Sequence, residues 1–293
     1  MAWASSSNFA LFTEQVDATI IREMQPKIIY PEITRKVSVD KGNVREYNKM
    51  TDIEPVTLNR VAEGGEFENA VVEFDRQVVA LDEIGSAPRI SKRLIEDAEW
   101  DVVQITLEEI AFAAARTLNR DCIETLRAGV PTSSPDNSNA ATAYWSAANA
   151  DPLRDISLIV ETIEAQNYGD GRKYMIMHPR PLAYLRLDPN VARVLNYGDA
   201  TVLKGKQLPE VYDTQILKTT DLNSSLTGYS SLSYTMVLGL NADYGMNFYD
   251  RQPLKTEQID VAKSRSIDIV TYLRYAFAVI RPRATFQITS VLA

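Results

Sequence analysis

The stretch ISKRLIEDAEWDVVQITLEEIAFAAARTLNRDCIETLRAG, residues 90–129, decides the reading of this chain, because apolar side chains recur through it at steps of three and four. Val103, Leu107, Ile110, Ala114, Leu118, Cys122 and Leu126 make one continuous stripe, the pattern of a helix with a single buried face. Ser91, shortly after Pro88, reads as the N-cap. Glu96, Asp97 and Glu99 stand in the early turns, where the helix dipole favours negative charge, and Gly129 reads as a left-handed stop. A helix over residues 91–127 would run about 55 Å at about 1.5 Å per residue. That is longer than the central helix of an ordinary α/β enzyme, and it predicts a strut.

The segment before the helix has another texture. Residues 44–91 are rich in strand formers, with Pro55, the pair Gly64 and Gly65, and a second strand-like run through Val71, Phe74, Val78, Val79 and Leu81. This predicts a long hairpin with its tip near Gly64. Glu66, Glu68, Glu73, Asp75, Arg76, Asp82 and Glu83 alternate through it, so neither face suits burial in a single subunit's core. A two-stranded ribbon alone in water is marginal and needs a third surface. That surface is either its own sheet, as in an ordinary β-hairpin, or a neighbouring subunit.

At the amino end, Phe12, Val16, Ile20 and Met24 recur at steps of four beside Ile21 and predict an amphipathic helix ending before Pro26. The following KIIYPEITRKVSV, residues 27–39, reads as extended. Such a helix on a tether can pack on its own core or reach a neighbour, and the pattern leaves both open. After the long helix, the polar residues 131–151 read as a loop. A helix opens at Asp151 and Pro152 with Ile156, Ile159, Val160 and Ile163 as its buried face, a buried strand covers 174–177, and a helix covers 181–187. From residue 231 the runs SYTMVLGL, NFYD, TEQIDV, SIDIVTYLRYAFAVI and ATFQITSV read as strands. There is no internal repeat.

Composition narrows the chemistry. The 293 residues hold one histidine, one cysteine and 12 glycines, and no GxSxG, HExxH, CxxC or GxxxxGKS pattern occurs. His178 lacks an orienting partner nearby in sequence and reads as structural, and Cys122 lies in the apolar stripe and reads as a buried helix residue. Glu96, Asp97, Glu108 and Glu109 read as a solvated helix face. No catalytic, cofactor or metal residues are assigned. A formal charge of −8 argues against a surface that wraps nucleic acid through many phosphate contacts. No apolar run approaches the roughly 20 residues of a membrane span, and MAWASSSNFA lacks the form of a secretory signal, so a soluble protein without membrane partners is expected.

The long-helix stretch resembles the spine helix of major capsid proteins of tailed double-stranded DNA viruses, the Hong Kong 97 fold family. YMIMHPRPLAYLRLDPN resembles the strand and helix of that family's axial domain, and GLNADYGMNFYDRQPLKTEQIDVAKSRSIDIVTYLRYAFAVIRP resembles its closing strands. The three pieces stand in the family's order and, with the hairpin, cover nearly the whole chain. The resemblance implies an α+β fold with an N-arm (residues 1–43), an extended loop (44–90), the spine helix of a peripheral domain (91–129), an axial domain (130–247) and closing strands returning to the peripheral domain (248–293). It implies a non-enzymatic subunit assembling as pentamers and hexamers into an icosahedral shell around double-stranded DNA, located in the virion and assembled in the host cytoplasm.

In such shells the extended loop lies on the next subunit, which would supply the hairpin's missing surface. Phe12, Val16, Ile20, Gly64, Gly65, Glu66, Phe67 and Glu68 are the expected inter-subunit contacts. Val103, Leu107, Ile110, Ala114 and Leu118 are the expected spine core, and Asn43, Gly85 and Gly129 are the expected hinges. With only residues 1–90 before the spine, a built-in scaffold is not expected, so the resemblance implies a separate scaffolding protein and a portal. Lys49 is the only lysine in residues 44–91 and no asparagine is marked as its partner, so no crosslink is expected. The alternatives are an encapsulin-type nanocompartment shell, which shares the fold, and a soluble enzyme or ligand-binding protein.

Overall fold

The computed structural model describes residues 20, 21, 23, 28–40, 42, 44–49, 75–97, 102–130, 137–147, 149–188, 191, 210–220, 222 and 236–292. Two strands dominate it. β11 (Met246–Val261) and β12 (Ser266–Val279) form an antiparallel ribbon from Met246 opposite Val279 to Val261 opposite Ser266. The turn between them passes through Arg265 in the left-handed region, φ 46°. Pro253 has no N–H to give the ladder, and it falls where the register shifts between Gln252 and Lys255.

The ribbon is the centre of a five-stranded sheet. β1 (Arg35–Ser38) pairs parallel with β11, and β4 (Asp82–Ser86) and β5 (Arg89–Ser91) pair antiparallel with β12. Two expectations change here. Residues 82–91 belong to this sheet, which leaves β2 (Val44–Lys49) and β3 (Asp75–Ala80) as the described hairpin strands. Ser91 ends β5, opposite Ser266, and directly precedes α2 (Lys92–Asp97), so it closes the strand ladder and stands at a helix start. Residues 27–39 are also not extended throughout: α1 (Tyr30–Ile33) interrupts them, with Pro31 in its first turn, where a missing N–H is harmless.

The second sheet has six strands in the order β6 (Ser138–Ala140), β13 (Thr285–Thr289), β10 (Val237–Asn241), β7 (Lys173–Met177), β9 (Thr214–Lys218) and β8 (Glu210–Val211). The last strand of the chain thus enters this sheet, so the expected return of residues 248–293 to the first sheet stops at β12. The reason lies in the side chains: Phe286 and Ile288 are fully buried against α4 (Pro152–Ala165) and the methionines of β7, a site that β6 and β10 leave open between them.

The long helix α3 (Val102–Gly129) joins the sheets. Its buried face meets Phe248, Tyr275 and Phe277 of the ribbon and, in the same cluster, Ile176, Leu238 and Leu240 of the second sheet. An aromatic layer lines the contact, with Tyr30 to Phe248 at 4.6 Å, Phe248 to Phe277 at 5.1 Å and Tyr275 to Phe277 at 5.4 Å between ring centroids. The 28 described residues of α3 correspond to about 42 Å.

Candidate assembly surfaces

Opposite faces of the β11/β12 ribbon carry different loads because successive strand residues point to opposite sides. Phe248, Tyr275 and Phe277 point to α3, whereas Tyr249, Ala276 and Ala278 point away, where Val39, Leu81, Tyr47 and Val79 cover them. The base of the β2/β3 hairpin therefore sits on the face that α3 does not use. Its six pairs run from Val44 opposite Ala80 to Lys49 opposite Asp75. Tyr47 stacks near Tyr249 at 6.4 Å between centroids, while Val78, on the other side of β3, is 59% exposed. Arg76 pairs with Glu46 across the strands in open solvent, where such pairs contribute little.

Of the expected contacts, Phe12, Val16, Gly64, Gly65, Glu66, Phe67 and Glu68 lie outside the described residues. Ile20 is fully buried in the subunit's own core with α3, which removes it from the free contact surface. In α3, Leu107, Ile110 and Leu118 are buried, whereas Val103 and Ala114 are only partly so. Ala111 and Ala115 are buried more deeply, so the stripe runs beside Ala114.

Two expected hinges are tightly packed. A Cβ on Gly129 would lie 2.4 Å from Cγ2 of Val279, and its φ is not positive, so this glycine serves the close approach of helix and ribbon and not a left-handed stop. A Cβ on Gly85 would lie 2.9 Å from the Thr271 carbonyl oxygen within the β4/β12 pairing. Asn43 lies outside the described residues.

The reactive residue types have structural partners. Cys122 is fully buried, and burial pushes its thiol well above the ordinary range. His178 caps α5 (Pro179–Leu187), its Nδ1 accepting from the Arg180 N–H at 3.2 Å, while burial and then Arg180 hold its pKa below the usual imidazole value. Asp121 accepts from the Tyr275 hydroxyl, and burial raises its carboxyl above the usual range despite that bond. No helix among the described residues is long and apolar enough to cross a membrane.

Sequence reasoning missed two features. Residues 131–151 were expected to be plain loop, yet Trp145 is buried there and donates from Nε1 to Asp155 Oδ2 at 2.8 Å. Thr142 donates to Asp155 Oδ1 from both N–H, at 3.1 Å, and Oγ1, at 2.7 Å. A tryptophan in an otherwise polar run was the available signal. The second feature is a cleft of about 610 Å³ between α3, α5 and the end of β9, with Phe112, Arg116, Leu182, Arg186 and Lys218 in its walls. It joins three elements that are not adjacent in the chain, so no local pattern marks it.

A long helix clasped by two sheets, with a two-stranded ribbon on the far face, is the Hong Kong 97 capsid architecture. The fold is similar to the capsid of cyanophage P-SCSP1u, with a TM-score of 0.70 at 15% identity over 91% of this chain and 89% of that chain. It is similar to the mature capsid of bacteriophage PhiM1, with a TM-score of 0.66 at 14% identity over 89% of this chain and 86% of that one. It also matches a virus-like particle from Pyrococcus furiosus, with a TM-score of 0.62 at 10% identity over 94% of this chain and 99% of that one. No curated protein matches by sequence. The sequence profile of the phage capsid protein family matches residues 72–288, and the chain belongs to that family.

Proposed function

We propose that the protein is a major capsid protein that assembles as pentamers and hexamers into an icosahedral shell enclosing double-stranded DNA. The observation that carries this reading is the division of the described subunit into a closed body and a ribbon base with one face turned to solvent, within a capsid family. The role is geometric and not enzymatic. The tips of the extended loops, Gly64 to Glu68, lie on neighbouring subunits, and one set of contacts repeated by symmetry closes the shell. Since Gly85 and Gly129 are packed, the different bends required at different lattice positions fall on the irregular part of the β11/β12 ribbon, between Asp250 and Lys255.

Assembly takes place in the host cytoplasm with a separate scaffolding protein and a portal, and the shell holds DNA without reading its sequence. Residues 130–245 with β13 form the axial part at the capsomer centre, and the five-stranded sheet with α3 forms the peripheral part. An encapsulin-type shell shares this fold, and the phage capsid family match favours the viral reading.

The test is negative-stain electron microscopy of the protein expressed alone, after its mass in solution is measured. Capsomers, tubes or shells of several sizes are expected. Small uniform closed shells would move the assignment to the encapsulin class, and a stable monomer at high concentration would overturn both.

A further inference from the structure

The cleft between α3, α5 and β9 differs in character from an acidic subunit's average surface. Its lining is mixed: the ring of Phe112, 49% exposed, and the exposed Pro179 give it apolar surface, beside the buried Ala115, Leu182, Asn119 and Thr219. Three cations from three elements surround it: Arg116 of α3, Arg186 of α5 and Lys218 at the end of β9, each at an exposed position. No aspartate or glutamate is among the described residues lining it, in a chain whose formal charge is −8.

Exposed apolar surface at Phe112 and Pro179 inside a cationic rim complements a segment in which an apolar side chain is flanked by carboxylates. Phe112 and Pro179 desolvate the anchor, and the rim charges set register and speed encounter. A duplex DNA backbone fits less well, because phosphates gain from the cations but nothing from Phe112 and Pro179.

We propose that this cleft docks an acidic segment of a separate protein, with an apolar or aromatic side chain against Phe112 and Pro179 and carboxylates on Arg116, Arg186 and Lys218. The exclusion of a neighbouring copy's hairpin as occupant rests on the capsid reading. Copies in a closed shell all turn the same face outward, and the hairpin leaves from the ribbon face opposite α3.

The test is fluorescence anisotropy on the full chain with three labelled probes. These are an amphipathic peptide with leucine and phenylalanine on one face and glutamate on the other, the same peptide with lysine for glutamate, and a short DNA duplex. Only the glutamate peptide is expected to bind. Arg186→Glu and Lys218→Glu should each weaken it about tenfold. Phe112→Ala should weaken it too, with the thermal melt of all three variants unchanged. The proposal is overturned if the glutamate peptide does not bind, including because the chain's own residues 1–19 fill the cleft. Binding indifferent to these three variants overturns it as well, as does duplex binding through the same residues, which would make the cleft a nucleic-acid site. Shell formation, followed separately by microscopy, reports on the capsid reading alone, so either reading can fail without the other.

Discussion

The long helix and the β2/β3 hairpin lie on opposite faces of the same β11/β12 ribbon, and the two are supported very differently. On the helix side, Leu107, Ile110, Leu118, Ile123 and Leu126 are all buried, each worth roughly 1.5–3 kcal/mol. On the hairpin side, the described strands touch the ribbon through Tyr47 and Val79, and each cross-strand pair adds only roughly 0.2–1 kcal/mol. The helix is therefore part of what makes a subunit fold. The hairpin base is held at one face only, and this is why we assign its tip to contacts between subunits.

The most damaging change to the helix side is Leu107→Asp, which puts a carboxylate into a core where burying an unpaired charge costs at least about 4 kcal/mol. Loss of soluble protein or of a cooperative thermal transition is expected, and a normally melting variant would mean that this face is misassigned. The matching change on the other side is simultaneous replacement of Glu66, Phe67 and Glu68 by serine. The subunit should melt as before while shell assembly, followed by light scattering and microscopy, is lost. Normal particles with unchanged heat resistance would remove the contrast.

Asp155→Ala tests the docked loop beside the second sheet. It leaves the Trp145 and Thr142 donors without their acceptor and should cost about 2 kcal/mol in urea unfolding. Gly129→Ala should cost about 1–3 kcal/mol by forcing the helix end off Val279. If Gly129 were a free hinge, that substitution would leave unfolding unchanged and alter only particle size.

The smallest effect concerns Asp121, whose folded pKa is raised chiefly by burial. A carboxyl raised in this way favours the folded state fully below its unfolded pKa, and that contribution fades as pH rises through the folded pKa. Asp121→Asn cannot lose a proton, so its stability relative to the wild type should increase as pH rises from the unfolded pKa through the raised folded one. Thermal melts at a series of pH values would show parallel curves if Asp121 did not titrate there.

Much of this molecule was legible from periodicity. The apolar steps of α3, the Asp151 and Pro152 opening of α4 and the buried run of β7 each rest on near neighbours in the chain, and the structure has all three. The misreadings have a common cause. Gly129 suggested a stop signal from its position at a helix end, but the side chain that requires it, Val279, lies 150 residues away. Residues 82–91 suggested a hairpin arm from their strand formers, but the strand that takes them, β12, is similarly remote in the chain. The route of β13 into the second sheet likewise depended on which site could bury Phe286.

The sequence by itself determined the kinds of element, their order and the scarcity of residues for catalysis, because helix and strand patterns and motif spacings are properties of adjacent residues. Only the tertiary structure decided which strands share a sheet, which ribbon face receives the helix and which the hairpin, and where cations from α3, α5 and β9 converge. Those outcomes depend on burial and close packing among side chains far apart in the chain, and no local pattern encodes them.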